Sequence, residues 1–208
     1  MRCEDLDHAE AGRLVSPSAE RNKQPIADLL DAVLPGSGEV LEVSSGTGQH
    51  VVHFAHRMPR LVWRPTERDA ECLRSIEAWR GFAALPNVRA PILLDVHDDV
   101  WPAPPLDAVI CLNMIHIAPW SATEGLMRGA GRILKPGGLL FLYGPFQRHG
   151  AHTAESNAEF DRQLRARDPK WGVRNLEEVS TVAASERLEL AAIHQLPANN
   201  LGVVFRKQ

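Results

Sequence analysis

The chain has 208 residues, 44% of them hydrophobic and 24% charged, with a formal net charge of −3. That length suits one sizeable core rather than two independent domains, and the composition excludes a disordered chain or a disulfide-rich scaffold. Without net positive charge, nucleic acid and anionic membranes are disfavoured as partners; Cys3, Cys72 and Cys111 are odd in number and scattered, which argues against a disulfide framework or a zinc site and fits a reducing cytoplasm.

Residues 1–15 carry Glu4, Asp5, Asp7 and Glu10 and no apolar run, so they read as a flexible leader rather than a signal peptide, and no later stretch approaches the roughly 18 apolar residues of a membrane span. A single domain is expected over 16–208, as a monomer or homodimer. Ile26, Leu29, Leu30 and Val33 have the spacing of a helix with one buried face, starting near Gln24 with Pro25 in its first turn. Val40–Val43 is a buried strand that runs into Ser44-Ser45-Gly46-Thr47-Gly48, and Val51, Val52, Phe54 and Ala55 begin the next helix.

The unit then repeats: Leu61–Thr66 as second strand, Asp69–Arg80 as helix, Ala90–Val96 as third strand and Leu106–Leu112 as fourth. A helix from about Ser121 stops at Lys135-Pro136-Gly137-Gly138, before the fifth strand, Leu139–Tyr143. Residues 144–174 are polar and broken by Pro145, Gly150, Pro169 and Gly172, with one short helical pattern around Phe160 and Leu164; they read as a substrate-side insertion over the sheet edge. Asn175 and Glu178 form a capping box, and Leu188–Gln195 and Leu201–Arg206 close the chain as an antiparallel hairpin. The expected fold is α/β: a doubly wound, mostly parallel seven-stranded sheet with an antiparallel C-terminal hairpin and helices on both faces.

The chemistry concentrates at Glu42-Val43-Ser44-Ser45-Gly46-Thr47-Gly48, an acid at a strand end followed by residues small enough for a cofactor to lie against the backbone. A dinucleotide fingerprint wants glycine or alanine three positions after Gly48, where Val51 stands, and has no use for Glu42. An acid beside the turn suits a cofactor with a cationic end, such as S-adenosylmethionine with its ammonium and sulfonium. Glu67, 21 residues after Gly46, ends the second strand where an acid accepts from ribose hydroxyls. Asp95 is placed for an adenine amino group, and Asn113 ends the fourth strand at the same edge.

On these residues the chain resembles the seven-stranded class I methyltransferases, and within them a subfamily catalogued as a domain of unknown function. The resemblance runs from about residue 16 to the end. It is carried by Ala19–Ile26, Val40–His50, Asn113–His116, Leu134–Gly138, Tyr143–Phe146, Ser156-Asn157 with Phe160-Asp161, Trp171–Arg174 and Pro197–Asn200. It implies S-adenosylmethionine as cofactor, held by Glu42, Gly46, Gly48, Glu67, Asp95 and Asn113, with the segment of Arg21, Asn22 and Lys23 folding over it. Where the class has glycine this chain has Ser44, which restricts backbone approach slightly.

Methyl transfer is an in-line displacement that needs alignment and, for a protonated acceptor, proton removal. His116, three residues past Asn113, is the first candidate base, and Tyr143 can hydrogen-bond the acceptor. His149, Trp171 and Arg174 are further substrate-side candidates, the last two as aromatic wall and anion clamp. Each also has a structural reading: a satisfied loop histidine, a strand-end aromatic, an ordinary cation–π contact. His50, His53 and His56 share a spacing of three but lack convergent further ligands, so no metal is expected. A small-molecule O- or N-acceptor is the leading expectation. The alternatives are a non-catalytic S-adenosylmethionine sensor, a nucleic acid methyltransferase, which the absence of a basic, aromatic-interleaved patch opposes, and a nicotinamide oxidoreductase.

Overall fold

The computed structural model describes residues 12–208, preceded by the backbone of Asp7–His8. Of the expected leader, residues 1–6 and 9–11 lie outside the described residues. Its end is docked: β2 (Leu14–Val15) pairs antiparallel with β1 (Asp7–His8), and buried Leu14 donates to Ser75 Oγ at 2.9 Å while its carbonyl accepts from the Trp79 indole at 2.9 Å. Cys111 is buried.

The main sheet has seven strands in the order β11-β12-β7-β6-β3-β4-β5: β3 (Gly38–Val43), β4 (Leu61–Glu67), β5 (Ile92–Leu93), β6 (Leu106–Leu112), β7 (Leu134–Gly144), β11 (Leu188–Leu196) and β12 (Asn200–Lys207). β3, β4 and β5 are parallel neighbours, and β12 runs antiparallel to both β7 and β11. This is the doubly wound α/β sheet with a C-terminal hairpin that the sequence pattern predicts. By packing, the chain divides into two compact units, one reaching to Asp95 with Leu106–Ile110, the other comprising Val96–Pro105 and Cys111–Gln208.

In the first unit α1 runs Pro17–Val33, seven residues earlier than the apolar spacing alone places it. Ser16 is the reason: its hydroxyl accepts from Ala19 N at 3.3 Å, and Pro17 sits where a missing N–H costs nothing. Pro25 is therefore in the helix interior rather than its first turn. α2 (Gln49–Arg57) and α3 (Ala70–Ala83) follow β3 and β4, and Asp69 caps α3 through Glu71 N and Cys72 N. Phe54 of α2 and Trp63 of β4 are fully buried with ring centroids 5.7 Å apart, each such burial contributing roughly 1.5–3 kcal/mol. β5 is shorter than Ala90–Val96 because Pro91 offers no N–H and the strand is the sheet's edge.

In the second unit α4 (Trp120–Ile133) passes directly into β7, so Lys135–Gly138 begin the strand instead of forming a separate loop. Leu126, Met127 and Ala130 of α4 are fully buried, as are Leu139–Phe141 of β7 and Phe205 of β12. The insertion is more regular than its composition suggests: β8 (Phe146–Arg148), β9 (Ala151–His152) and β10 (Arg174–Asn175) form a small sheet in the order β10-β8-β9, with α5 at Glu155–Arg167. α6 (Leu176–Ser185) is capped by Asn175 through Glu177 N.

α4 contains Gly125, where a methyl group would lie 2.6 Å from the Val96 carbonyl oxygen. Alanine is normally favoured over glycine in a helix by ~1 kcal/mol. Against backbone the clash wins, so Gly125→Ala should destabilise the protein by about 1–3 kcal/mol, read as a lower urea midpoint at unchanged slope. The control is Gly81→Ala in α3, where nothing lies within 4 Å of the added methyl and stability should rise by up to ~1 kcal/mol.

Candidate functional site

The turn after β3 is held by a small hydrogen-bond lattice within the first unit. Ser45 N donates to the Thr66 carbonyl at 2.8 Å, Thr66 N donates to Ser45 Oγ at 3.2 Å, and the Thr66 hydroxyl donates to the Glu42 carbonyl at 2.9 Å. The ends of β3 and β4 are thereby locked together. Ser44 has φ 56° and Gly48 φ 92°, both left-handed, which explains why the wider class places glycine where Ser44 stands. A Cβ on Gly48 would lie 2.9 Å from the Ile76 backbone, whereas one on Gly46 would meet nothing within 4 Å: Gly48 seats the turn on α3, and Gly46 leaves open space above the backbone.

Two carboxylates converge on this turn. Glu67 is buried, and accepts from Gly46 N at 3.1 Å with one oxygen and from Arg68 N at 2.8 Å with the other. Burial pushes its pKa up, and these backbone donors oppose the shift. Glu42 is only 1% exposed, its Oε2 has no hydrogen-bond partner, and burial, reinforced by nearby Glu67 and only partly offset by Ser45, raises its pKa to about 8. Asp95 lies beyond the short β5, partly exposed, with Arg68 Nη1 at 3.7 Å from its carboxylate.

Arg21 is exposed on α1 and donates to Ser18 Oγ at 3.2 Å. Asn22 Oδ1 lies 2.8 Å from His50 Nε2, an α1-to-α2 tie. The residue that connects α1 to the turn is Gln49, which the sequence reading missed: it is buried, its Oε1 accepts from Ser16 N at 2.6 Å and its Nε2 donates to Glu20 at 3.2 Å. Among the described residues no three His, Cys, Asp or Glu side chains cluster as a metal site. A cavity of about 280 Å³ in this unit opens among α1, α2 and α3, lined by Lys23, His53, His56, Trp79 and Phe82, away from the two carboxylates.

In the second unit the centre is His116, wholly buried in the 3₁₀ turn Met114–His116 that follows Asn113. His116 N donates to the Asn113 carbonyl at 3.0 Å, its own carbonyl accepts from Gly172 N at 2.9 Å, and its Nδ1 faces Arg174 N at 3.4 Å. That contact assigns the ring proton to Nε2. Phe146 packs edge-on against the ring, centroids 5.0 Å apart, and Gly144 leaves room for it, since a Cβ there would lie 2.5 Å from Nε2. Burial, with the Arg174 charge, lowers the His116 pKa to about 3. The ring is neutral at physiological pH, its Nε2 without a partner.

Arg174 spends its guanidinium on carbonyl oxygens: Nε donates to Ile115 at 2.9 Å and Nη2 to Ala118 at 2.6 Å and Lys170 at 2.9 Å, with Trp120 flanking at 5.7 Å. Asp161, not among the candidates from sequence, accepts from Val173 N at 2.7 Å and pairs with Arg165 at 2.9 Å. Tyr143 is buried on β7 and its carbonyl accepts from Asn113 N at 2.8 Å. Trp171 is partly exposed, its N–H bonded to the Asp168 carbonyl. His149 is 80% exposed beside Glu177, so it stands apart from the His116 cluster.

Residues 13–207 match a family model described as "Protein of unknown function (DUF938)". Among solved structures, an O-methyltransferase family protein from Burkholderia thailandensis superposes with a TM-score of 0.79 at 14% identity, covering 92% of this chain and 57% of that one. A putative O-methyltransferase from Nostoc punctiforme gives 0.80 at 19% identity, covering 94% and 58%. CalO1, a methyltransferase in calicheamicin biosynthesis solved with S-adenosylhomocysteine bound, gives 0.76 at 16% identity, covering 92% and 54%. The fold is shared with these proteins, and the chain spans little more than half their length.

The neutral state of His116 leaves a signature in stability. Its pKa falls from 6.5 to about 3 on folding, so the unfolded chain binds the proton first. The stabilisation is present above pH 6.5 and is lost as pH falls toward 3. Between about pH 7 and pH 5 the wild type should lose about 2 kcal/mol more than His116→Gln, which has no such proton to bind. Urea midpoints of the two proteins at both pH values test this; equal pH slopes would show that His116 titrates normally.

Proposed function

Because the chain belongs to the family described as a protein of unknown function (DUF938) and has the class I methyltransferase fold, we propose that it binds S-adenosylmethionine and transfers its methyl group to a small-molecule acceptor in the cytoplasm. The observation that carries this reading is Glu42: a buried carboxylate with an unpartnered oxygen beside a turn that leaves open space at Gly46. Such a group calls for a cation or a strong donor. A nicotinamide dinucleotide would bring a pyrophosphate there; S-adenosylmethionine brings an ammonium and a transferable methyl on sulfur.

Each residue then has a task. Glu42 neutralises the ammonium, the Gly46 backbone lets the cofactor lie close, and Glu67 accepts from the ribose hydroxyls in exchange for part of its backbone bonding. Asp95 accepts from the adenine amino group, and Ser44 completes the polar contacts. In the second unit Tyr143, Trp171 and Arg174 are the candidate acceptor-side residues. His116, neutral and with Nδ1 engaged by Arg174 N, acts in the neutral form, holding Asn113 in place. The state of His116 also favours a second reading, a sensor that binds the cofactor without turning it over, because a ring held neutral is a poor proton acceptor.

S-adenosylmethionine carrying a labelled methyl group, incubated with the protein and a fractionated small-molecule extract, should yield label in an extractable compound. Tight binding with no label transferred would favour the sensor. Glu67→Ala should weaken cofactor binding about ten- to hundredfold, the equivalent of about 1.5–3 kcal/mol for a charged hydrogen bond; unchanged affinity would remove Glu67 from the site.

A further inference from the structure

We infer that the cavity among α1, α2 and α3 is a second ligand site, apart from the Glu42 and Glu67 carboxylates, and that it takes a small planar aromatic carboxylate. Its volume of about 280 Å³ lies at the lower end of the roughly 300–1,000 Å³ usual for ligand pockets, which suits one ring or two fused rings. One wall is aromatic. Trp79 and Phe82 of α3 meet edge to face with ring centroids 6.0 Å apart, and Phe82 is 67% exposed, leaving most of its ring open to a ligand. The Arg13 guanidinium lies over both rings, at 3.7 Å from the Phe82 centroid and 5.0 Å from that of Trp79.

The opposite wall is polar, and it offers donors. Lys23 and Glu20 of α1 line it with His53 and His56 of α2. Both oxygens of Glu20 are engaged, Oε1 by Lys23 and Oε2 by Gln49 Nε2 at 3.2 Å. Lys23 spends one of its three N–H donors on that pair, and His53 Nε2 is buried without a hydrogen-bond partner. The charged groups around His53 are Lys23 and Glu20 from α1 and His56 and Arg57 from α2, while α3 contributes Trp79, Phe82 and Ala83; Arg57 pairs with Asp28 and Asp31. Burial, with the Lys23 charge, holds the His53 pKa below its usual value against the pull of Glu20. Donors on one side and aromatic faces on the other call for an anion on a flat apolar body. A carboxylate that reaches Lys23 and His53 accepts from both. Its charge stabilises the imidazolium, so His53 takes up a proton from solvent as the ligand binds.

The probe is 2-naphthoate, with 2-naphthamide as the uncharged ring and cyclohexanecarboxylate as the anion without an aromatic face. An NMR titration of the full chain should show 2-naphthoate binding with its largest shifts in α1, α2 and α3, and affinity about tenfold weaker for each control. Affinity for 2-naphthoate should rise about threefold from pH 8 to pH 6, and the His53 ring should titrate at higher pH with the ligand than without it. His53→Gln should abolish that pH dependence. Lys23→Gln should weaken 2-naphthoate about tenfold and 2-naphthamide far less. Phe82→Ala, at an exposed position that leaves the core intact, should weaken both ring compounds. Saturating S-adenosylhomocysteine should leave 2-naphthoate in place, since neither Glu42 nor Glu67 lines the cavity. No binding of 2-naphthoate at millimolar concentration near pH 6, equal affinity for 2-naphthamide, or displacement by S-adenosylhomocysteine overturns the inference.

Discussion

Two carboxylates enclosed at adjacent strand ends are the constraint around which the first unit is arranged. A buried charge is tolerated only when paired or hydrogen-bonded, and here the two acids meet that demand differently. Glu67 satisfies it with backbone N–H groups at Gly46 and Arg68, so the carboxylate itself clamps the turn. Glu42 has Ser45 and little else. The lattice of Ser45, Thr66 and the Glu42 carbonyl holds the two acids in register, at an electrostatic cost that makes sense for a binding site and not for a core built only for stability.

The second unit has its own buried polar centre, and it uses the signature residues in a different way. His116 is distant in sequence from Asp161, Gly172 and Arg174, yet each of these three bonds either to the turn after β6 or to a backbone segment that does. Gly172 shows the tightness of the arrangement, since a Cβ there would lie 2.7 Å from Asp161 Oδ1. Asn157 extends the lattice toward the hairpin by donating to the Asn199 carbonyl at 3.0 Å. These motifs hold backbone carbonyls and N–H groups in place, so substitutions at Asp161 or Arg174 act first on the turn that carries Asn113.

Much of this was legible in the sequence where local chemistry has a single solution. An apolar strand ending in an acid and a turn of small residues fixes β3, its turn and α2, and the recurrence of that pattern gives the parallel sheet. The sequence was ambiguous where one residue type serves two positions. Pro25 fits a first turn, but Ser16 and Pro17 made the stronger start, leaving Pro25 inside α1. The strands of the insertion are two or three residues long, too short to show a period. Roles that depend on contacts across the fold, such as Gln49 receiving Ser16 N or Asp161 receiving Val173 N, leave no local pattern. His116 was visible as a residue near the fourth strand end, but its burial, which decides its protonation, was not.

The central claim is that the turn between Glu42 and Gly48, with Glu67, holds S-adenosylmethionine. A crystal structure of the protein grown with S-adenosylhomocysteine tests it most directly. The account predicts the ammonium end at the Glu42 carboxylate, the ribose hydroxyls on Glu67 and backbone of the turn against the ligand at Gly46. Ligand density elsewhere in the molecule, with Glu42 Oε2 and the Gly46 backbone untouched, would contradict it.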